Sequence, residues 1–272
     1  QTPFSGGSGS SSDPFIIANK ADLDALADSV NKGIIFYQTS HYILNTDIIN
    51  VPFISVIGTH DHPFKGNFYG NNKTILVDIN LLSKDTVGLF GFLDNASISN
   101  LTIRGAIRGH NFVGGICGLN KNGDIINCLN YTTILGDSYV GGICGYNYNG
   151  GSISNCANHD TVFGENNVGG ICGFNHGLSS NNINLGVIKT ETYYIGGICG
   201  YDNGSPIELC HNTQNICMTI DSGTIYIGGI CGKNTGPGTN ISKCINIGNL
   251  GISGGMAYIG GICGENNTNG FI

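Results

Sequence analysis

Val113-Gly-Gly-Ile-Cys-Gly118 returns at 140–145 and 168–173 and, with isoleucine leading, at 195–200, 227–232 and 259–264. The cysteines of these six copies stand at 117, 144, 172, 199, 231 and 263, so the period is 27, 28, 27, 32 and 32 residues. A period of this size is the mark of a solenoid, a propeller or a similar array. Val87-Gly-Leu-Phe-Gly91 is a degenerate earlier copy, with Phe90 in the cysteine position.

Working outward from the hexapeptide, each unit continues through a Gly/Asn turn into a second short strand. These are Ile125-Ile-Asn-Cys128, Ile153-Ser-Asn-Cys156, Ser180-Asn-Asn182, Ile207-Glu-Leu-Cys210 and Ile241-Ser-Lys-Cys244. A third strand follows, as at 132–135, 161–163, 186–188 and 246–247, rich in β-branched or aromatic residues and bounded by turn formers. Three short strands suit one coil. A single coil cannot bury its apolar face, but coils stacked about 4.8 Å apart share one core. The predicted fold is therefore all-β, a right-handed parallel β-helix or β-solenoid of 27–32-residue coils. Asn120, Asn147, Asn175, Asn234 and Asn266 follow the Cys-Gly pair at a fixed offset, varied only by Asp202-Asn203. At that offset asparagine tolerates turn geometry and can stack on its equivalents above and below.

The N-terminal third is organised differently. Residues 1–12 read as a flexible Gly/Ser-rich arm, 13–86 as an N-terminal module with the first coils, and 87–272 as the repeat solenoid. Leu23, Leu26, Ala27 and Val30 fall at helical spacing, with Asn19 as cap and Gly33 as stop, which predicts one short helix covering the open end of the stack.

Composition narrows the function. Only 11% of residues are charged, and the net charge of -7 leaves Arg104, Arg108 and nine scattered lysines as the cations, with no basic stripe for nucleic acid. No apolar run has the length of a membrane span, and a chain that begins at Gln1 without a leader reads as a processed product.

The sequence resembles the GLUG-motif repeat proteins of bacterial and some protist surfaces, whose repeats look like Val-Gly-Gly-Leu-Val-Gly-Tyr-Asn. The best copy is Val140-Gly-Gly-Ile-Cys-Gly-Tyr-Asn147, and Asp13-Pro-Phe-Ile-Ile17, Tyr42-Ile-Leu-Asn-Thr-Asp-Ile48 and Pro63-Phe-Lys-Gly-Asn-Phe-Tyr-Gly-Asn71 follow the same order. The resemblance implies a β-helical fold and extracellular display within adhesins or beside a separate protease domain, and no activity of the repeat itself. Cysteine in place of the usual aliphatic departs from the common pattern.

The cysteines admit two readings. Cys117/Cys128, Cys144/Cys156, Cys199/Cys210 and Cys231/Cys244 are 11, 12, 11 and 13 apart and could be disulfide staples within coils, each stabilising by roughly 2–3 kcal/mol. Alternatively they are small apolar core residues in a ladder of thiols. Phe90 at the equivalent position, Cys172 facing Asn182, and Cys263 without a partner favour the ladder. Sequons at Asn72, Asn95, Asn100, Asn130, Asn203, Asn240 and Asn266 permit N-glycosylation in a eukaryotic source.

No catalytic, metal or cofactor site emerges. Polysaccharide-degrading β-helices need clustered carboxylates, whereas Asp124, Asp137, Asp160, Glu165, Asp202 and Glu208 do not recur at one coil position. His60-Asp61-His62 could ligate a metal, but as a solvated turn before Pro63 it lacks a third ligand. Tyr146, Tyr148, Phe174, Tyr193, Tyr194, Tyr201, Tyr226 and Tyr258 could form a glycan-binding row or pack on the coil exterior. The expectation is a secreted, non-enzymatic structural or adhesive solenoid, displayed at the cell surface, without a cofactor. Self-association would run head to tail through the strand edges at its ends, helped by the apolar arm Gln1-Thr-Pro-Phe4.

Overall fold

The computed structural model of the chain describes residues 2–190, 193–219, 224–236 and 240–267. It is a parallel β-solenoid of about nine turns. One turn passes through Asn111–Gly114, then Cys117–Lys121, then the broken strand Asp124–Ile126 and Leu129–Leu135. Each segment pairs in parallel with its counterparts in the turns before and after. The repeat cysteines fall in one register, Phe90 against Cys117 and on through Cys144, Cys172, Cys199, Cys231 and Cys263. One hydrophobic core runs from Phe4 to Ile241, so residue 87 marks a change of repeat within a single stack.

The hexapeptide is glycine-rich because two sheets are pinched together there. A Cβ on Gly118 would lie 2.6 Å from Val87 N and 2.8 Å from Phe112 O, on the strand facing it. A Cβ on Gly142 would lie 2.3 Å from Gly170 O in the next turn and 2.5 Å from Asn158 Cγ. The second glycine of the pair therefore makes room for a buried asparagine.

That asparagine belongs to a column absent from the sequence reading. Asn130 Nδ2 donates to Asn158 Oδ1 at 2.8 Å, Asn158 to Asn184 at 3.0 Å, Asn184 to Asn212 at 2.9 Å and Asn212 to Asn246 at 2.8 Å. The expected column exists as well. Asn120 donates to Asn147, Asn147 to Asn175 and Asn175 to Asp202, at 2.9, 2.9 and 2.8 Å. Each buried amide also bonds a carbonyl of its own turn, as Asn130 does with Thr132 O, so these polar groups sit in the core at little desolvation cost. Outside, the corners at Asn100, Asn127, Asn155, Asn181, Leu209 and Lys243 all take left-handed backbone with φ of 53–55°, a conformation asparagine tolerates better than leucine or lysine.

The helix forms as expected. Helix α1, Lys20–Asn31, is capped by Asn19 Oδ1, which accepts from Asp22 N at 3.0 Å, and it buries Leu23, Leu26, Ala27 and Val30. A further short helix, α2 at Ile35–Thr39, was not anticipated.

The arm corrects its reading. Phe4 is buried with its ring centroid 4.6 Å from that of Phe15, Ile16 N donates to Gly6 O at 2.8 Å, and Ser5 Oγ donates to Asp22 Oδ2 at 2.7 Å. Its glycines serve tight turns, Gly7 at φ +82° with a notional Cβ 1.9 Å from Pro14 O, so a flexible-linker composition here encodes a docked cap. Phe4 is thus not free to help association. The first rung, Phe15–Ile17, buries Phe15 and Ile17 completely, so head-to-tail stacking would have to displace this cover.

Two predictions test the interior. Gly142→Ala should lower the urea midpoint by an amount equivalent to about 1–3 kcal/mol, and an unchanged midpoint would contradict the packing described. The second concerns Asp202, whose carboxyl is pushed up to about 7 by burial, against the opposing hydrogen bonds from Asn175, Ser205 and Gly204. The folded chain holds that proton more tightly than the unfolded chain, whose carboxyl titrates near 3.8. The stabilisation is full below the unfolded value and is lost as pH rises through about 7. Asn234 Oδ1, the next rung, is buried without a donor, and Asp202→Asn supplies one. This substitution should flatten the pH slope between pH 4 and pH 8 and raise stability at pH 8 by about 1–2 kcal/mol, both readable from urea melts.

Candidate functional site

Outward-facing positions on either side of the pinched arch carry the aromatics. On one strand face the register runs Thr86, Phe112, Tyr139, Asn167, Tyr194, Tyr226 and Tyr258, and on the other Phe92, Leu119, Tyr146, Phe174, Tyr201, Lys233 and Glu265. Stacking at the strand spacing brings rings face to face. Phe112 and Tyr139 lie 5.1 Å apart at 8°, Tyr146 and Phe174 4.4 Å at 3°, and Tyr226 and Tyr258 4.9 Å at 9°. Edge contacts such as Phe112–Tyr146 and Tyr139–Phe174 join the two columns into a seam. Where Lys233 replaces a ring, its Nζ lies 4.7 Å over Tyr194, donates to Tyr194 Oη at 2.9 Å and pairs with Glu265 at 3.2 Å.

The seam corrects the idea of an open aromatic row. Rings stacked on one another present edges to solvent, so most of these faces are already occupied. A flat ligand can stack only where a column is interrupted, as below Phe112, where the register has Thr86, and around Asn167 between Tyr139 and Tyr194.

Below Phe112 the surface is concave. A cavity of about 680 Å³ is lined by Val56, Leu81, Val87, Phe112 and Leu119, with Thr59, His60, Lys84, Asp85 and Thr86 as its polar lining. Asp85 is held firmly. Its Oδ1 accepts from His110 Nδ1 at 2.7 Å, Asn111 Nδ2 at 3.0 Å and Asn111 N at 3.1 Å. Partial burial raises its pKa, but these donors outweigh it and hold the carboxyl below its ordinary value. His110 also reaches Asp137 through Nε2 at 3.4 Å. This cluster joins residues from three successive turns, and no local motif announced it.

The cysteines form columns instead of staples within coils. All eleven are thiols. The first series lies on one face, and Cys117, Cys172, Cys199, Cys231 and Cys263 each donate to the carbonyl two residues on, as Cys117 to Leu119 O at 2.9 Å and Cys199 to Tyr201 O at 3.1 Å. Cys128, Cys156, Cys210 and Cys244 form a second column against the large sheet, donating to the carbonyl two residues back at 3.3 Å, with Asn182 taking the missing place by accepting from Cys156 N at 2.9 Å. Burial pushes the Cys117, Cys156, Cys172 and Cys231 thiols up and Cys199 to about 12, which keeps those five protonated. Cys144 and Cys244 are shifted down, against their burial, by hydrogen bonds from the neighbouring cysteines of their columns.

Among the sequons, Asn130 is fully buried, and a glycan on its Nδ2 would break two hydrogen bonds of the amide column. Asn72, Asn95, Asn240 and Asn266 are exposed, and Asn100 and Asn203 half-buried. His60 and His62 do not converge: His62 Nδ1 donates to Asn31 O at 2.8 Å behind α1, while His60 stands in solvent. Among the described residues no group of three metal-ligating side chains comes together, and no helix is long and apolar enough to cross a membrane.

The GLUG motif matches residues 136–162. Among solved structures, a Bacteroides ovatus protein described as a "putative immunoglobulin A1 protease" superposes with a TM-score of 0.63 at 21% identity, covering 93% of this chain and 86% of that one. At that identity the likeness is one of fold. No curated protein matches.

The thiol assignment has a direct test. An aromatic disulfide reagent should label Cys217 first in the native protein, then Cys244 and Cys263, and reach the eight buried cysteines only on unfolding. Fewer than eleven reactive thiols in denaturant without reductant would instead reveal disulfides.

Proposed function

From the premise that the chain is a GLUG-motif β-solenoid, we propose that it is a non-enzymatic, extracellular structural and adhesive rod. The observation that carries this reading is the interior: apolar side chains, thiols and amide columns fill every repeat turn, leaving chemistry only to the outer surface. In support of a non-catalytic role, eight of the eleven thiols are buried and His110 is engaged by two carboxylates. A surface poor in charge and rich in amides, hydroxyls and aromatic edges suits adhesion to neutral polymers.

Adhesion is tested by saturable retention on immobilised polysaccharides with no release of reducing ends or peptides.

A further inference from the structure

The aromatic column on the valine side of the arch stops one rung short. Phe112 and Tyr139 stack at 5.1 Å, both with left-handed backbone at φ 56° and 58°. Thr86, one turn earlier, keeps the same register and the same left-handed backbone at φ 63°, although a β-branched residue pays for it in strain. It supplies no ring. The place where the next ring would lie is open, and it opens into the cavity of about 680 Å³, a size usual for small-ligand sites.

We propose that this cavity is a sugar-binding site in which one neutral pyranose ring takes the missing rung, its C–H face on the free face of Phe112 and its hydroxyls on the polar lining. The walls decide the class of ligand. Leu119, Val87 and Leu81 offer apolar contact, but the same lining carries both an ammonium and a carboxylate, from Lys84 and Asp85, with hydroxyls from Thr59 and Thr86. A purely aromatic ligand would strip water from those groups and return nothing. An anion would meet Asp85 and a cation Lys84. A polyhydroxylated ring both donates and accepts, and it brings an apolar face. Asp85 is fit to receive it: its three recorded hydrogen bonds all fall on Oδ1, so the carboxylate is fixed in place with Oδ2 left for a sugar hydroxyl.

The assignment deepens the adhesive reading and draws its biological setting from it, yet it is measurable apart from it. Methyl β-D-galactopyranoside, methyl β-D-glucopyranoside and methyl α-D-mannopyranoside, with p-cresol as the aromatic comparison, are titrated against the whole chain by saturation-transfer and chemical-shift NMR. At least one glycoside should bind saturably, tenfold or more weakly to Asp85→Asn and to Phe112→Ala, and unchanged to Tyr258→Ala. Thr86→Phe guards against misfolding as an explanation. It places a ring on a backbone that carries one in the next two turns, and should abolish binding while leaving the unfolding midpoint equal or higher. Binding of p-cresol but of no glycoside, or a glycoside affinity indifferent to Thr86→Phe, overturns the site. Retention on polysaccharide that persists in Thr86→Phe also overturns the site, and leaves the adhesive reading standing.

Discussion

Everything in this rod depends on a steric bargain between buried amides and absent side chains. A column of asparagines can run through a protein core only if every N–H and oxygen finds a partner, and stacking identical residues at the strand spacing achieves this because each amide serves the turn above it. The amide then occupies the volume where the arch on the far side would place a Cβ. Gly142 against Asn158, Gly170 against Asn184 and Gly197 against Asn212 are one contact repeated. The Gly-Gly of the hexapeptide and the asparagines 14 to 16 residues downstream are two halves of the same constraint.

From that constraint the outer surface follows. An arch pinched to glycine leaves bare backbone outside, and large flat side chains on either flank cover it, stacked at the spacing the strands impose. The seam is thus first a packing device, and its rings become available only where the column is interrupted. Interruption is informative in the interior as well. Asp202 in place of asparagine breaks the donor chain and leaves Asn234 Oδ1 without a donor, so the site of a single side-chain exchange is also the place where solution pH enters the core.

The repeat, the cysteine register and the column beginning at Asn120 were legible because they keep a constant distance from one strong motif. The column beginning at Asn130 was equally regular yet escaped notice. Measured from the hexapeptide cysteine its offset wanders, from Cys117 to Asn130 and from Cys231 to Asn246, because the loops between vary. Measured from the second cysteine position it is constant, as Cys128-Leu-Asn130, Cys156-Ala-Asn158, Asn182-Ile-Asn184, Cys210-His-Asn212 and Cys244-Ile-Asn246. That Cys-x-Asn recurrence was the available signal. The arm misled for a different reason: glycine and serine serve a linker and a series of tight turns equally well, and only the packing of Phe4 distinguishes them. The cavity under Phe112 had no signal at all, since its walls come from segments near 56–60, 81–87 and 112–119 that meet only after the stack has formed.

Both amide columns have a direction. Every rung described donates from the earlier turn to the later one, as from Asn120 to Asn147 and from Asn130 to Asn158. The first oxygens differ: Asn120 Oδ1 is buried unpartnered above Leu93, whereas Asn130 Oδ1 accepts from Thr132 N at 3.0 Å. Within the stack, a turn that met the preceding amide with an apolar side chain would trap an unsatisfied donor, at a cost of about 1–3 kcal/mol, whereas a turn that brings an amide or carboxylate oxygen to that register completes the rung, as Asp202 does for Asn175. In this way the side-chain chemistry that orders the turns within the rod also sets the terms on which each turn joins it.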